Sequence, residues 1–183
     1  MYGMVNRSFE AMLRARHGDA AWERIKARAG VTSLGFISNE PYPDDVTYSL
    51  VGAASETLEV PAGELLEAFG EYWVLHAATE TYPDLMASAG RSLPEFLGNL
   101  NNLHVRVGML FPRLKPPRFE CTEVGADSLR LHHHTQRPGL APFVVGLVRG
   151  LGTMLGTPAT VDLVTSRADG ADHDVFAVRW KAR

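Results

Sequence analysis

The sequence predicts an α+β fold, with a helical N-terminal half packed on a C-terminal four-stranded antiparallel sheet that carries one helix. Three observations predict it. Up to about residue 115, apolar residues recur three and four apart, the period of a helix face. A Pro116-Pro117 pair then interrupts the pattern. Beyond it, apolar and polar residues alternate in four short runs, the period of a strand. Two such layers have a natural cleft where they meet, the usual place for a bound ligand. The domain expected is single, 1–183, with a helical part over about 1–115 and a β-β-α-β-β part over about 116–183.

Each element has a local reason. Val5, Phe9, Met12 and Leu13 share one helical face, and Trp22, Ile25 and Ala29 share another. Tyr48, Val51 and Leu58 mark a third segment. Pro61 suits the opening of a fourth, continued by Leu65, Leu66, Phe69, Trp73 and His76. Ser92 and Glu95 have capping-box spacing, with Pro94 in the first turn, and predict a helix from Ser92 to about Phe111. Phe119 to Val124 and Ser128 to Thr135 read as a hairpin around Gly125-Ala126-Asp127. Phe143 to Leu155 is helical again, and Ala159 to Thr165 and Val175 to Trp180 alternate around a polar turn.

Composition narrows the function classes. The chain has 183 residues, 45% apolar and 21% charged, an ordinary soluble globular make-up. A net charge of -3 favours neither nucleic acid nor an anionic membrane. Cys121 is the one cysteine, so no internal disulfide can form, which fits a reducing compartment. Met1 to Glu10 holds no apolar signal core, and no run approaches a membrane span. A cytoplasmic protein is expected.

Two places carry chemistry. Leu97, Leu100, His104, Val107 and Phe111 form one stripe of the Ser92–Phe111 helix, which should face inward. A histidine in such a stripe is either a core residue bonded to a backbone carbonyl or a neutral imidazole free to bind iron. On the strand after it, Leu129, Leu131, His133, Thr135 and Arg137 share one side. That set puts three donors in a row, able to grip carboxylates, with arginine giving the bidentate fork. It is equally the composition of a solvated strand end. The neighbours His132, His133 and His134 alternate faces, so the run itself cannot converge on one ion.

The opening Met1-Tyr2-Gly3-Met4-Val5-Asn6, the segment Val51-Gly52-Ala53-Ala54-Ser55, the turn Ala62-Gly63-Glu64 and the strand Leu131-His132-His133-His134-Thr135-Gln136-Arg137 resemble one family in order. The chain resembles an H-NOX domain, the haem nitric oxide/oxygen binding fold, and is especially similar to the haem domain of the soluble guanylate cyclase β subunit. The likeness runs over essentially the whole chain, leaving no room for a cyclase catalytic domain and implying a sensor rather than an enzyme. Leu103-His104, followed by Pro116-Pro117 and Phe119, matches the family's proximal histidine. The resemblance implies a non-covalent haem b with His104 as iron ligand and Leu100 and Pro117 beside the cofactor. The family's Tyr-x-Ser-x-Arg propionate clamp reads here His133-x-Thr135-x-Arg137, a variant that keeps hydroxyl and guanidinium and adds a group titrating near pH 6.5.

The resemblance further implies a distal pocket of Val5, Phe9, Trp73 and Phe143, with Met1 or Met4 near. Phe143 stands where oxygen-binding members place a tyrosine hydroxyl. The expected function is therefore a sensor of nitric oxide, binding carbon monoxide too but not oxygen, and signalling by release of the proximal histidine. The expected partner is a histidine kinase or a cyclase. The other reading is a regulatory or carrier module of the same fold that takes a different tetrapyrrole or none. Cys121 with His132 lacks an orienting third group, so nucleophilic catalysis has no basis.

Overall fold

The structure, a computed structural model, describes residues 1–181. Its contacts divide into two compact units, Met1–Phe69 and Gly70 onward.

The first unit is helical. It holds α1 (Gly3–His17), α2 (Asp19–Arg28), α3 (Asp44–Leu58) and the start of α4 (Ala62–Tyr72). Gly18 ends α1 at φ 79, a conformation that glycine adopts without a Cβ clash. Of the predicted residues, Phe9, Met12, Leu13, Trp22, Ile25 and Val51 are buried, while Val5, Ala29, Tyr48 and Leu58 are half-buried; α3 turns Leu50 and Ala54 inward beside Val51. Phe9, Met12, Leu13, Trp22, Ile25, Leu50 and Ala54 are all sealed from solvent. The Phe9 ring meets Phe69 edge-on at 5.1 Å. The buried Asn6 and Thr47 side chains satisfy one another, Thr47 Oγ1 donating to Asn6 Oδ1 at 2.7 Å.

The second unit begins inside α4, which passes into a π-helical segment, Trp73–Ala78, and then α5 (Thr79–Thr81). After α6 (Pro83–Ala87) come α7 (Leu93–Gly98) and α8 (Leu100–Leu110). The predicted helix from Ser92 to Phe111 is thus two helices. Its start is as read: the Ser92 hydroxyl caps the Glu95 N–H. The break lies at Asn99, whose side-chain amide donates to the Ala89 carbonyl at 2.9 Å. Glycine and asparagine in succession are poor helix formers, and this bond rewards leaving the helix.

The rest is β1 (Arg118–Thr122), β2 (Ser128–His134), α9 (Ala141–Met154), β3 (Ala159–Thr165) and β4 (Asp174–Trp180). All pairings are antiparallel, in the order β1-β2-β4-β3. The expected α+β class and β-β-α-β-β order are therefore found. The first strand stops at Thr122 rather than Val124, because Glu123 turns the chain at φ 49. β2 alternates as predicted, with Leu129, Leu131 and His133 buried. Leu129 and Leu131 join Phe176 and Val178 of β4, Val144, Val148 and Leu151 of α9, and Leu93, Phe96 and Leu97 of α7 in one core. At Gly70 a Cβ would strike the Phe143 carbonyl, so this close approach of α4 to α9 requires glycine. Among the described residues, no helix is long and apolar enough to cross a membrane.

Leu131 is fully buried at the centre of this core. Leu131→Ala should cost about 2–5 kcal/mol, read as a lowered urea midpoint. A loss under about 1 kcal/mol, the range of surface changes, would count against this packing.

Candidate functional site

His104 sits in the second turn of α8. The stripe it belongs to faces inward: Leu97 and Phe111 are buried, and Leu100, His104 and Val107 are half-buried. On the other side of the helix Val105, Met109 and Leu110 are exposed. The Nδ1 atom of His104 is shielded from solvent and makes no hydrogen bond among the described residues. The backbone of Pro117 lies close enough to favour a proton on the ring, but without the geometry of a bond. Burial dominates and pushes the imidazole below its usual proton affinity, helped by the nearby His133. His104 is therefore a neutral imidazole with one nitrogen turned towards a backbone carbonyl. Metal-bound histidines are commonly held in that way, so the residue present fits an iron ligand.

An amide clamp fixes α8 against the sheet. Asn101 donates from Nδ2 to the Phe119 carbonyl at 2.6 Å and accepts the Phe119 N–H on Oδ1 at 2.9 Å. The Phe119 ring lies 5.9 Å from that of His104 and stacks on His133 at 5.2 Å. His133 is paired in register with Phe119 on one side and Asp174 on the other. Its Nδ1 is 3.4 Å from Asp174 Oδ2, and the two residues are 2% and 6% exposed. Asp174 Oδ1 takes the Arg167 N–H at 2.9 Å. His133 thus belongs to the interior and has a carboxylate partner already. Burial outweighs Asp174 and lowers its proton affinity, so the folded chain takes this proton at a lower pH than the expected 6.5.

The strand ends at His134, and Thr135 and Arg137 lie beyond it, where the chain turns towards Pro138-Gly139. Thr135 Oγ1 accepts the Arg137 N–H at 3.1 Å, leaving its own hydrogen to donate. Arg137 Nη1 donates to the Lys115 carbonyl at 2.7 Å, in the same loop as Pro117. The row of three donors expected on one strand face is instead one buried histidine and two residues of a turn. A turn frees the backbone from strand alternation.

The remaining candidates are spread over the chain. Val5, half-buried, and Phe9, buried, lie on α1. Trp73 opens the π-helical segment, and Phe143 stands in the first turn of α9, both half-buried. Met1 and Met4 are half-buried as well. His76 is exposed and sits 3.5 Å from Glu80. Two residues of the site escaped the sequence reading. Asn101 carried no signal, since an asparagine on a polar helix face is ordinary. Asp174 did carry one: it precedes Phe176 and Val178 in the inward phase of β4.

The chain thus combines helices, a four-stranded antiparallel sheet and a shielded histidine of lowered proton affinity. The chain belongs to the haem-NO-binding family, which matches residues 2–163; it is a family of haem-based gas sensors rather than of catalytic domains. It is similar to soluble guanylate cyclase gcy-31 of Caenorhabditis elegans, 26% identical over 98% of this chain and 26% of that one. Soluble guanylate cyclase gcy-32 of the same organism is 30% identical over 81% of this chain and 22% of its own length. The chain spans about a quarter of the length of these curated relatives. Its fold matches an H-NOX protein from S. oneidensis in the Fe(II)NO ligation state, with a TM-score of 0.90, 18% identity and 99% of both chains covered. It also matches an unliganded Fe(II) H-NOX protein from K. algicida, with a TM-score of 0.87 and 21% identity over 100% of this chain and 98% of that one.

The buried histidine makes stability depend on pH. His133 is neutral when folded, whereas an unfolded histidine takes a proton below about 6.5. The unfolded chain then binds more protons, so stability is lost as the pH falls through that range and is unaffected by this group above it. The urea midpoint should drop between pH 7.5 and 5.5, and drop less in His133→Gln. His104 acts in the same sense, so some of the drop should remain. An equal drop in both proteins would contradict the assignment.

Proposed function

We propose that the chain is a cytoplasmic sensor of nitric oxide that holds haem b through His104, also binds carbon monoxide, and does not retain oxygen. The observation that carries this reading is His104 Nδ1, shielded from solvent and without a hydrogen bond among the described residues, on a ring whose proton affinity burial lowers. The iron of haem b supplies the position at which a diatomic gas binds. His104 gives the protein's bond to it, with Leu100 and Pro117 as apolar neighbours. Thr135 and Arg137 hold the propionates, the arginine by charge and the hydroxyl by one bond. His133 supports this clamp from inside the sheet, through its stack on Phe119.

Oxygen that draws negative charge needs a donor to be retained, and Val5, Phe9 and Phe143 bring no hydroxyl. Trp73 completes the proposed distal set. Release of His104 would free α8 to shift against the Asn101 clamp on β1, giving a two-state element for a partner to read. The partner proposed is a histidine kinase or a cyclase. The relatives' names and the share of their length that the chain spans support a sensor module of a larger signalling system. A net charge of -3 and a single cysteine support the cytoplasmic placing, without nucleic acid or membrane as partner.

A second reading, a module for another tetrapyrrole or none, draws on His133, which is buried against Asp174 where the family's tyrosine would donate. The absorption spectrum after expression with haem separates the two.

His104→Gly should lose the histidine-ligated Soret band and regain it when imidazole is added. A histidine-ligated spectrum in that variant without imidazole would remove His104 from its role. The reduced protein equilibrated with air should show no oxygen complex within minutes, while NO and CO each shift the spectrum. Phe143→Tyr should increase oxygen retention. A persistent oxygen spectrum in the native chain would overturn the selectivity.

A further inference from the structure

The face of β2 opposite the core carries His132 and His134. His173 joins them, because it precedes Asp174, the register partner of His133, and so points to the other side of the sheet. The three histidines meet closely. The His134 and His173 rings stack with centroids 4.0 Å apart. His132 Nδ1 is 2.8 Å from His173 Nε2, and His132 Nε2 is 2.8 Å from Thr122 Oγ1. Asp172 Oδ2 lies 3.1 Å from His173 Nδ1. One ligand atom each from His134, Asp172 and His173 falls within 4.8 Å of the others.

We infer that His134, His173 and Asp172 form a binding site for a divalent transition-metal ion of the imidazole-preferring class, with zinc the leading candidate. Zinc bonds of about 2.0–2.1 Å in a tetrahedron place ligand atoms roughly 3.3 Å apart. Asp172 Oδ2 and His173 Nδ1 already stand 3.1 Å apart, the His134 ligand atom lies within 4.8 Å of both, and Asp172 is 91% exposed. Two imidazoles and a carboxylate leave a fourth position for water, the pattern of an open zinc site.

The hydrogen bonds around the cluster orient the ligands. His173 Nε2–H can donate to His132 Nδ1, and His132 Nε2–H to Thr122 Oγ1. That chain leaves the lone pair of His173 Nδ1 for the ion, on the side where Asp172 lies. His132 thereby holds the ligand from behind, as outer residues do at metal centres. The His134 side chain makes no hydrogen bond among the described residues, and burial, the neighbouring His173 and Arg118 favour its neutral form. Arg118, across from His134 on β1, has its guanidinium on Glu120 at 3.1 Å. The site would fasten the turn before β4 to the end of β2, directly before Thr135.

The test uses the full chain, untagged and stripped with a chelator, then titrated with Zn²⁺ alone. Calorimetry and metal content after gel filtration should give one saturable equivalent. His134→Ala and His173→Ala should each weaken binding at least tenfold, Asp172→Asn less, and His17→Ala, an exposed histidine on α1, not at all. Imidazole resonances of the unmutated chain should shift for His134 and His173 on adding Zn²⁺ and stay fixed for His17, which keeps the test valid should a variant not fold. Absence of saturable binding, unchanged affinity in the folded His134 and His173 variants, or shifts confined to other histidines would each overturn the site.

Discussion

His133 and Asp174 face each other across β2 and β4, in the interior and at the end of the core. An unpaired carboxylate there would be costly: a buried acceptor left unsatisfied loses about 1–3 kcal/mol, more when it is charged. The pair therefore ties strand register to side-chain chemistry. A slip of one residue would bring His132 or His134 inward and leave Asp174 without a partner. The stack of Phe119 on His133 carries this constraint to β1. The Arg167 N–H on Asp174 carries it to the turn before β4.

The proposed iron ligand depends on the same row. Phe119 receives both bonds of the Asn101 amide, so α8 is held where His104 comes near the Phe119 ring. An imidazole kept neutral by burial is the form that binds a metal. Pro117, one residue before β1, brings a carbonyl towards its other nitrogen. Strand, clamp and helix therefore act as one support beneath His104. A gas sensor needs such a support, since it must change state as a unit.

The strands were legible because each buries one face, and alternation survives in the residue string. The helix faces of the first unit were legible for the same reason at a period of 3.6 residues. The break at Asn99 was not, since it depends on the Ala89 carbonyl, brought near by the fold. Nor was the π-helical segment that Trp73 opens, for which composition has no distinct signature. The His132-His133-His134 run was read from alternation alone, which separates His133 from its neighbours. Alternation also puts His132 and His134 on one face, and only the turn before β4 adds His173 and Asp172.

The residue order by itself determined the α+β class, the strand sequence, the inward phase of Leu129, Leu131 and His133, and the inward stripe that holds His104. Each follows from local geometry and hydrophobic period, which need no distant partner. The tertiary structure decided what each buried polar group meets. It gave Asp174 to His133, Asn101 to the backbone of Phe119, the Lys115 carbonyl to Arg137, and nothing to His104 Nδ1. A side chain's partner is set by which distant segments come within about 3 Å, and no period in the sequence encodes that distance.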